Sequence, residues 1–329
     1  MIDLKVTDDR HAKFELVFKL AERPDLLPPV YIVSSQRSDR LRTLDTIPAL
    51  RGIATVVVSS EEYEEYRAEL GADVTIVSIP EGYRGHAGGL GRARQFCLDH
   101  AELEGHKHIM VLDDDLLLLT LLYHIGDDKV SRASKKHIGA SKLPEFHFGL
   151  LNLVAQLALD AFEARPEAVI ASPQCNNANR TIRSSELMWA LNQGGPPSQI
   201  QVWDVERWSE LCGEIDLERF NYHGEDISIA VQIVTAGGSV VDIPAVVGNW
   251  LDYETESVIR NEDTAPALRQ TEHDNLKSLG ESVFRYIRTK WDIIGRPQWH
   301  SLNWKALQRD GMVAVDKRYF AESELSDIL

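Results

Sequence analysis

Three consecutive aspartates, Asp113, Asp114 and Asp115, stand between two apolar runs, His108–Leu112 and Leu116–Leu122. Alternate residues of a strand share a face, so Asp113 and Asp115 are expected to point the same way from the end of an apolar strand. Two carboxylates placed so form a hard-cation site, suited to magnesium or manganese, with positions open for phosphate oxygens. The cation there would neutralise a diphosphate leaving group. The plainer alternative is a solvated acidic turn, against which stands the mutual repulsion of three adjacent like charges.

A second candidate is Glu81–Gln95, EGYRGHAGGLGRARQ. Its glycines, Gly89 among them, allow close backbone approach to a ligand. Arg84, Arg92 and Arg94 supply permanent positive charge for phosphate or sugar hydroxyls, and the helix that follows adds its N-terminal amides. Neither a Gly-Lys-Ser/Thr closure nor a Gly-x-Gly-x-x-Gly spacing is present, which excludes a Walker A loop and a dinucleotide fingerprint. The alternative is a flexible turn with surface arginines. Ser34, Ser35 and Arg37 follow the first apolar run, where a nucleotide-binding loop belongs; a helix cap by Ser38 or Asp39 explains them nearly as well. His223-Gly224-Glu225-Asp226 opens a helix. Acids there are favoured by the helix dipole, or one carboxylate serves an acceptor hydroxyl as base or contact.

The elements that must position these residues alternate between two periods. Apolar runs at Val30–Val33, Ile53–Val58, Val74–Ile79 and His108–Leu112 read as strands. Between them, Leu41–Leu50, Glu61–Leu70 and Ala87–Glu102 have helical spacing. Such alternation predicts an α/β fold with a mostly parallel sheet flanked by helices, whose ligands bind at the carboxyl ends of the strands. A helix is expected across Leu150–Phe162, strands at Val169–Ala171, Ile200–Val205 and Val240–Val247, and a helix from Glu225 that Gly237 and Gly238 end. Asp127–Lys142 reads as a loop or lid. Asp274–Trp291 reads as a helix ahead of a tryptophan-rich segment.

The chain has 329 residues, 43% hydrophobic and 26% charged, which excludes disorder and a disulfide scaffold. Three scattered cysteines without Cys-x-x-Cys spacing imply no zinc module and fit a reducing compartment. The charged start MIDLKVTDDR is not expected to be a signal peptide, and the longest apolar stretch is too short to span a bilayer. A cytoplasmic protein with no membrane contact is expected. The net charge of −16 excludes a chain coated in basic groups. Local basic segments remain. One holds Lys129, Arg132, Lys135, Lys136 and Lys142. The other, Leu276–Arg309, contains Arg285 and Arg288 interleaved with Tyr286, Trp291, Trp299 and Trp304. Basic and aromatic groups together can bind phosphates and stack on bases; a lid over a diphosphate and a docking helix are the alternatives.

VLDDD at a strand end, GGLGRAR before it and GEDISIA later resemble the nucleotide-sugar glycosyltransferases of the GT-A fold. From PVYIVSSQR onward the run is most similar to the TET/JBP-associated glycosyltransferases, which act on 5-hydroxymethylpyrimidines in DNA. The resemblance implies a GT-A catalytic domain over 1–250, with a nucleotide-sugar half at about 28–125 and an acceptor half at about 145–250. An extension over 251–329 would pack on that domain and contact the acceptor. It implies Asp113 and Asp115 as metal ligands for Mn2+ or Mg2+, with His223, His273 or His300 completing the set. Ser34, Ser35, Arg37, Arg84, Gly89, Arg94, Asp113 and Asp114 would bind the donor, expected to be UDP-glucose, and Glu225 and Asp226 would face the acceptor. DNA would be met through Lys129, Arg132, Lys135, Lys136 and the Arg285–Trp304 region. Other readings are a saccharide, lipid or protein acceptor, a nucleotidyltransferase, and an inactive sugar-nucleotide-binding module.

Overall fold

The β-branched run after Pro28 and Pro29 forms the strand β1, Val30–Val33, and lies inside a mixed sheet. The computed structural model describes residues 10–85, 89–121, 143–175, 189–191, 197, 199–217 and 225–250. In chain order the elements begin with α1 (Arg10–Ala21), β1, α2 (Arg42–Thr46), β2 (Ala54–Ser59), α3 (Tyr63–Leu70) and β3 (Thr75–Ile79). They continue with α4 (Leu90–Leu103), β4 (His108–Asp113), β5 (Leu116–Leu121), α5 (Pro144–Ala164) and β6 (Ala168–Cys175). β7 (Ala190–Leu191), β8 (Ile200–Asp204), α6 (Val205–Leu211), α7 (Glu225–Thr235) and β9 (Ser239–Trp250) complete them.

The sheet runs β3-β2-β1-β4-β8-β6-β9-β5, with β7 beside β9. Its first four strands are parallel, with Val30 opposite Ala54 and Met110. Beyond β4 it is mixed: β8 is antiparallel to β4 and β6, while β6 and β9 are parallel. β1, β2 and β4 therefore end at the same edge, and the loops after β1 and β4 meet there.

Strand parity divides the core. Val30, Ile32, Met110 and Leu112 face α1, α2 and α5. Tyr31, Val33, Ile109 and Val111 face α4, α6 and α7. α5 is helical for 21 residues, with Pro144 in its first turn. Proline is preorganised there and its missing N–H costs nothing. α1 crosses α5 so closely that a Cβ on Gly149 would lie 2.0 Å from the Val17 carbonyl oxygen. Only glycine fits that crossing. Neither α1 nor α6 has a counterpart in the sequence reading. The Leu41–Leu50 stretch is divided, with α2 followed by a 3-10 turn, Pro48–Gly52. Among the described residues no helix is long and apolar enough to cross a membrane. The segment 122–142, the histidines His223, His273 and His300, and everything from 251 onward lie outside the described residues.

Candidate active site

Two arginines organise the acids at the end of β4. Arg94, in the second turn of α4, donates from Nη2 to Asp113 Oδ1 at 2.8 Å and from Nη1 to Glu225 Oε1. The side chains of Arg94, Asp113 and Glu225 are 3%, 14% and 4% exposed, so this bridge is shut off from bulk water. It joins the end of β4 to the first residue of α7. Arg37, from the loop after β1, donates from Nη1 to Asp114 Oδ1 at 2.6 Å and lies 3.6 Å from Asp115 Oδ2.

The parity expectation for the aspartates holds only as far as the strand does. β4 ends at Asp113, whose side chain takes the α4 face. Asp114 and Asp115 lie in the turn that leads to β5, and both meet Arg37. Thr43, which the sequence reading did not single out, pins that turn. Its N–H donates to Asp114 O at 3.0 Å, its Oγ1 donates to Asp113 O at 2.6 Å, and Oγ1 accepts from Leu116 N–H at 3.1 Å. Asp113 N–H donates to Gln199 O at 3.0 Å.

Other expected ligands are placed differently. Ser34 Oγ donates to Asp114 Oδ2 at 2.5 Å and lies 2.7 Å from Tyr66 OH, so its hydroxyl is engaged within the protein. Ser35 Oγ donates to Glu62. Gly89 is buried as the extended residue that caps α4, with φ −76°, so no left-handed backbone calls for glycine there. Arg84 is engaged elsewhere, bridging Asp99 at 2.7 Å and Glu214 on the surface. Gln95 is fully buried and structural: Nε2 donates to Asp99, and Oε1 accepts from Ile215 N–H at 2.7 Å. Asp226 follows Glu225 in the first turn of α7 and is half-buried.

The local charge is in surplus. Asp113, Asp114, Asp115 and Glu225 share Arg37 and Arg94. Burial pushes the Asp113 carboxyl up; Arg94 opposes this, and the neighbouring acids reinforce it. Asp114 is pushed up to about 6 by burial, against Arg37 and Ser34. Burial raises Asp115 and Glu225 as well, each opposed by its arginine. Asp115 Oδ1, Glu225 Oε2 and Arg94 Nε are buried without a hydrogen-bond partner. Buried polar atoms are rarely left unpaired, and those that are call for an explanation. Excess carboxylate oxygens of this kind suit a hard divalent cation and the polar groups of a ligand. Among the described residues no three His, Cys, Asp or Glu side chains converge as a complete metal site.

Residues 28–158 match the family model described as TET-Associated Glycosyltransferase. The segment contains β1, α4 and all three aspartates. No curated protein matches the chain. Among solved structures it is similar to glucosyl-3-phosphoglycerate synthase from Mycobacterium tuberculosis, in complex with Mg2+ and uridine-diphosphate. That likeness has 12% identity and a TM-score of 0.44, covering 87% of this chain and 90% of that one. A second is mannosyl-3-phosphoglycerate synthase from Rubrobacter xylanophilus, at 12% identity and a TM-score of 0.39, covering 87% of this chain and 89% of that one. A third is GalNAc-T7 with UDP, GalNAc and Mn2+, at 11% identity and a TM-score of 0.42. The likeness covers 69% of this chain and 44% of GalNAc-T7.

Proposed function

From the TET-associated glycosyltransferase match over residues 28–158, we propose that this protein moves a sugar from a nucleoside diphosphate sugar to the hydroxyl of a 5-hydroxymethylpyrimidine in DNA. The observation that carries the chemistry is the Asp113–Arg94–Glu225 bridge. It brings the strand-end acids of the first half of the sheet against the start of α7, with Arg94 Nε and Glu225 Oε2 left without a partner. UDP-glucose is the donor proposed.

Asp113 and Asp115 would hold Mn2+ or Mg2+, and the unpartnered Asp115 Oδ1 fits that role. When bound, such an ion supplies Lewis-acid stabilisation of the departing diphosphate. Arg94 adds a fixed, water-excluded positive charge on the same side. Arg37 presents a second guanidinium beside Asp114 and Asp115. Glu225, held through Oε1, keeps Oε2 for the acceptor hydroxyl. The hydroxyl proton passes to that carboxylate as the new glycosidic C–O bond forms and the bond to the diphosphate breaks. The family description and the basic segments around Lys129–Lys142 and Arg285–Trp304 support DNA as acceptor.

The test is nucleoside diphosphate release from UDP-glucose with manganese. Duplexes carrying hydroxymethylcytosine would be compared with unmodified duplexes and with saccharide, lipid and protein acceptors. Release that depends on both metal and hydroxymethylated DNA is expected. Turnover on another acceptor class with none on hydroxymethylated DNA would sink the acceptor assignment, and release of pyrophosphate would make the protein a nucleotidyltransferase.

A further inference from the structure

The five residues after β1, Ser34–Ser38, are all hydrogen-bonded to one side of the segment 60–70. Tyr66 OH lies 2.7 Å from Ser34 Oγ and accepts the Arg37 N–H at 3.0 Å. Glu62 accepts from Ser35 Oγ at 3.1 and 3.2 Å and from Gln36 N–H at 2.5 Å. Glu65 accepts from Ser38 Oγ at 2.5 Å. Residues 62, 65 and 66 are spaced three and four apart, so they share one helical face. They hold a loop in which Gln36 has φ 56°, the left-handed region that a non-glycine residue adopts at a cost. Strain of this kind persists only where the surroundings over-determine it.

Within this grip lies a closed ring of hydrogen bonds, and the chemistry of its members fixes its direction. The Asp114 carboxylate only accepts and the Arg37 groups only donate. Ser34 gives its proton to Asp114 Oδ2 at 2.5 Å, so Tyr66 must donate to Ser34 while it accepts from Arg37 N–H. The Arg37 guanidinium closes the ring on Asp114 Oδ1 at 2.6 Å. Tyr66 is fully buried and reaches the donor side only through Ser34 Oγ and the Arg37 N–H.

We propose that Tyr66 is a positioning residue for the donor site. Through Ser34 and the Arg37 backbone it sets the Arg37 guanidinium between Asp114 and Asp115, and Asp114 serves as the anchor of that ring rather than as a ligand. The proposal rests on the glycosyl-transfer reading. It assigns a functional part to a phenol hydroxyl that packing alone does not need, because a phenylalanine would fill the same space.

The experiment compares Tyr66→Phe with wild type in the full chain, by amide hydrogen exchange across residues 34–38 and by steady-state kinetics. Exchange at Arg37 should rise, and donor KM should rise about tenfold, as for the loss of one buried hydrogen bond. The kcat and the acceptor KM should stay within about twofold. Ser34→Ala breaks the next link and should likewise raise exchange at Arg37 and the donor KM. The double variant should be no worse than either single one, since both open the same ring. Unchanged exchange, additive effects or an equal fall in kcat would each overturn the assignment. If wild type turns over no nucleotide sugar, the glycosyl-transfer reading fails by itself. The exchange data then decide the ring alone: faster exchange in Tyr66→Phe upholds it, and unchanged exchange overturns it.

Discussion

Arg94 and Arg84 come from one stretch of sequence, and each bridges two carboxylates from distant parts of the chain. Arg94 joins Asp113 and Glu225; Arg84 joins Asp99 and Glu214. Their surroundings separate them. Arg94 is 3% exposed and its partners 14% and 4%, whereas Arg84 is 37% exposed and its partners 35% and 68%. The buried bridge leaves Glu225 Oε2 and Arg94 Nε without a partner. At the exposed one, Asp99 has further partners in Tyr83 OH at 2.5 Å and Gln95 Nε2 at 2.7 Å. Charged atoms without a partner lie beside the buried bridge, where chemistry is proposed, while the exposed bridge shares its charge among several partners.

The largest effect should follow removal of the buried arginine. Without Arg94, Asp113 and Glu225 remain buried beside one another without compensation. Breaking a buried pair in this way costs about 3–5 kcal/mol. Arg94→Met should therefore lower the urea midpoint sharply as well as abolish turnover. Arg94→Lys should not restore either, because a single ammonium lacks the fork that reaches two carboxylates at once. An Arg94→Met protein as stable as wild type would erase the distinction between the two bridges.

Next in size is a variant that should separate stability from activity. Asp115→Asn keeps the shape of the side chain and removes one charge from a site already rich in acids. Turnover should fall about a hundredfold or more. The melting temperature of the metal-free protein should stay level or rise, since burial holds the Asp115 carboxyl above its ordinary range and its charge pushes Asp113 and Asp114 up in turn. Manganese at about a hundred times its Kd should stabilise wild type by about 2.7 kcal/mol, and this gain should shrink in the variant. Thermal melts with and without manganese measure both quantities. A fall in melting temperature alongside activity would mean that Asp115 chiefly serves Arg37 as a structural partner.

The contrast between the arginines also shows what a sequence can carry. β1, β2, β4 and the start of α7 at Glu225 follow from local signals: an apolar run, a proline before it, an acid in the first helical turn. The ordering of Asp113, Asp114 and Asp115 does not. It depends on where β4 stops, and the strand stops at Asp113, so parity could not be extended to Asp115. Arg84 and Arg94 carry the same charge in the same glycine-rich context, and only the sheet and α7 bury one of them. Tyr66 looks like a core residue of an amphipathic helix, which it is. Its hydroxyl gains a partner only when the loop after β1 folds over α3. Thr43 is similar: a threonine at a helix start reads as a local cap, but its oxygen reaches across to the aspartate turn.

The smallest effect should come from Arg84→Ala, and it makes the sharpest test because both bridges can be read in one experiment. Exposed ion pairs contribute about 0.2–1 kcal/mol. Arg84 also lies 5.7 Å from the centre of the Tyr83 ring, so part of its contribution is contact with that face rather than charge. Turnover should be unchanged, since the Asp113–Glu225 group keeps all its partners. Salt then discriminates between the two variants. At 1 M salt the screening length is about 3 Å, which removes most of what an exposed pair contributes. The stability gap between Arg84→Ala and wild type should narrow at that concentration to what the contact with the Tyr83 ring contributes. The gap for Arg94→Met should persist, because ions do not reach a bridge whose members are almost wholly buried. Gaps that respond alike to salt would mean that the two bridges differ in position but not in kind.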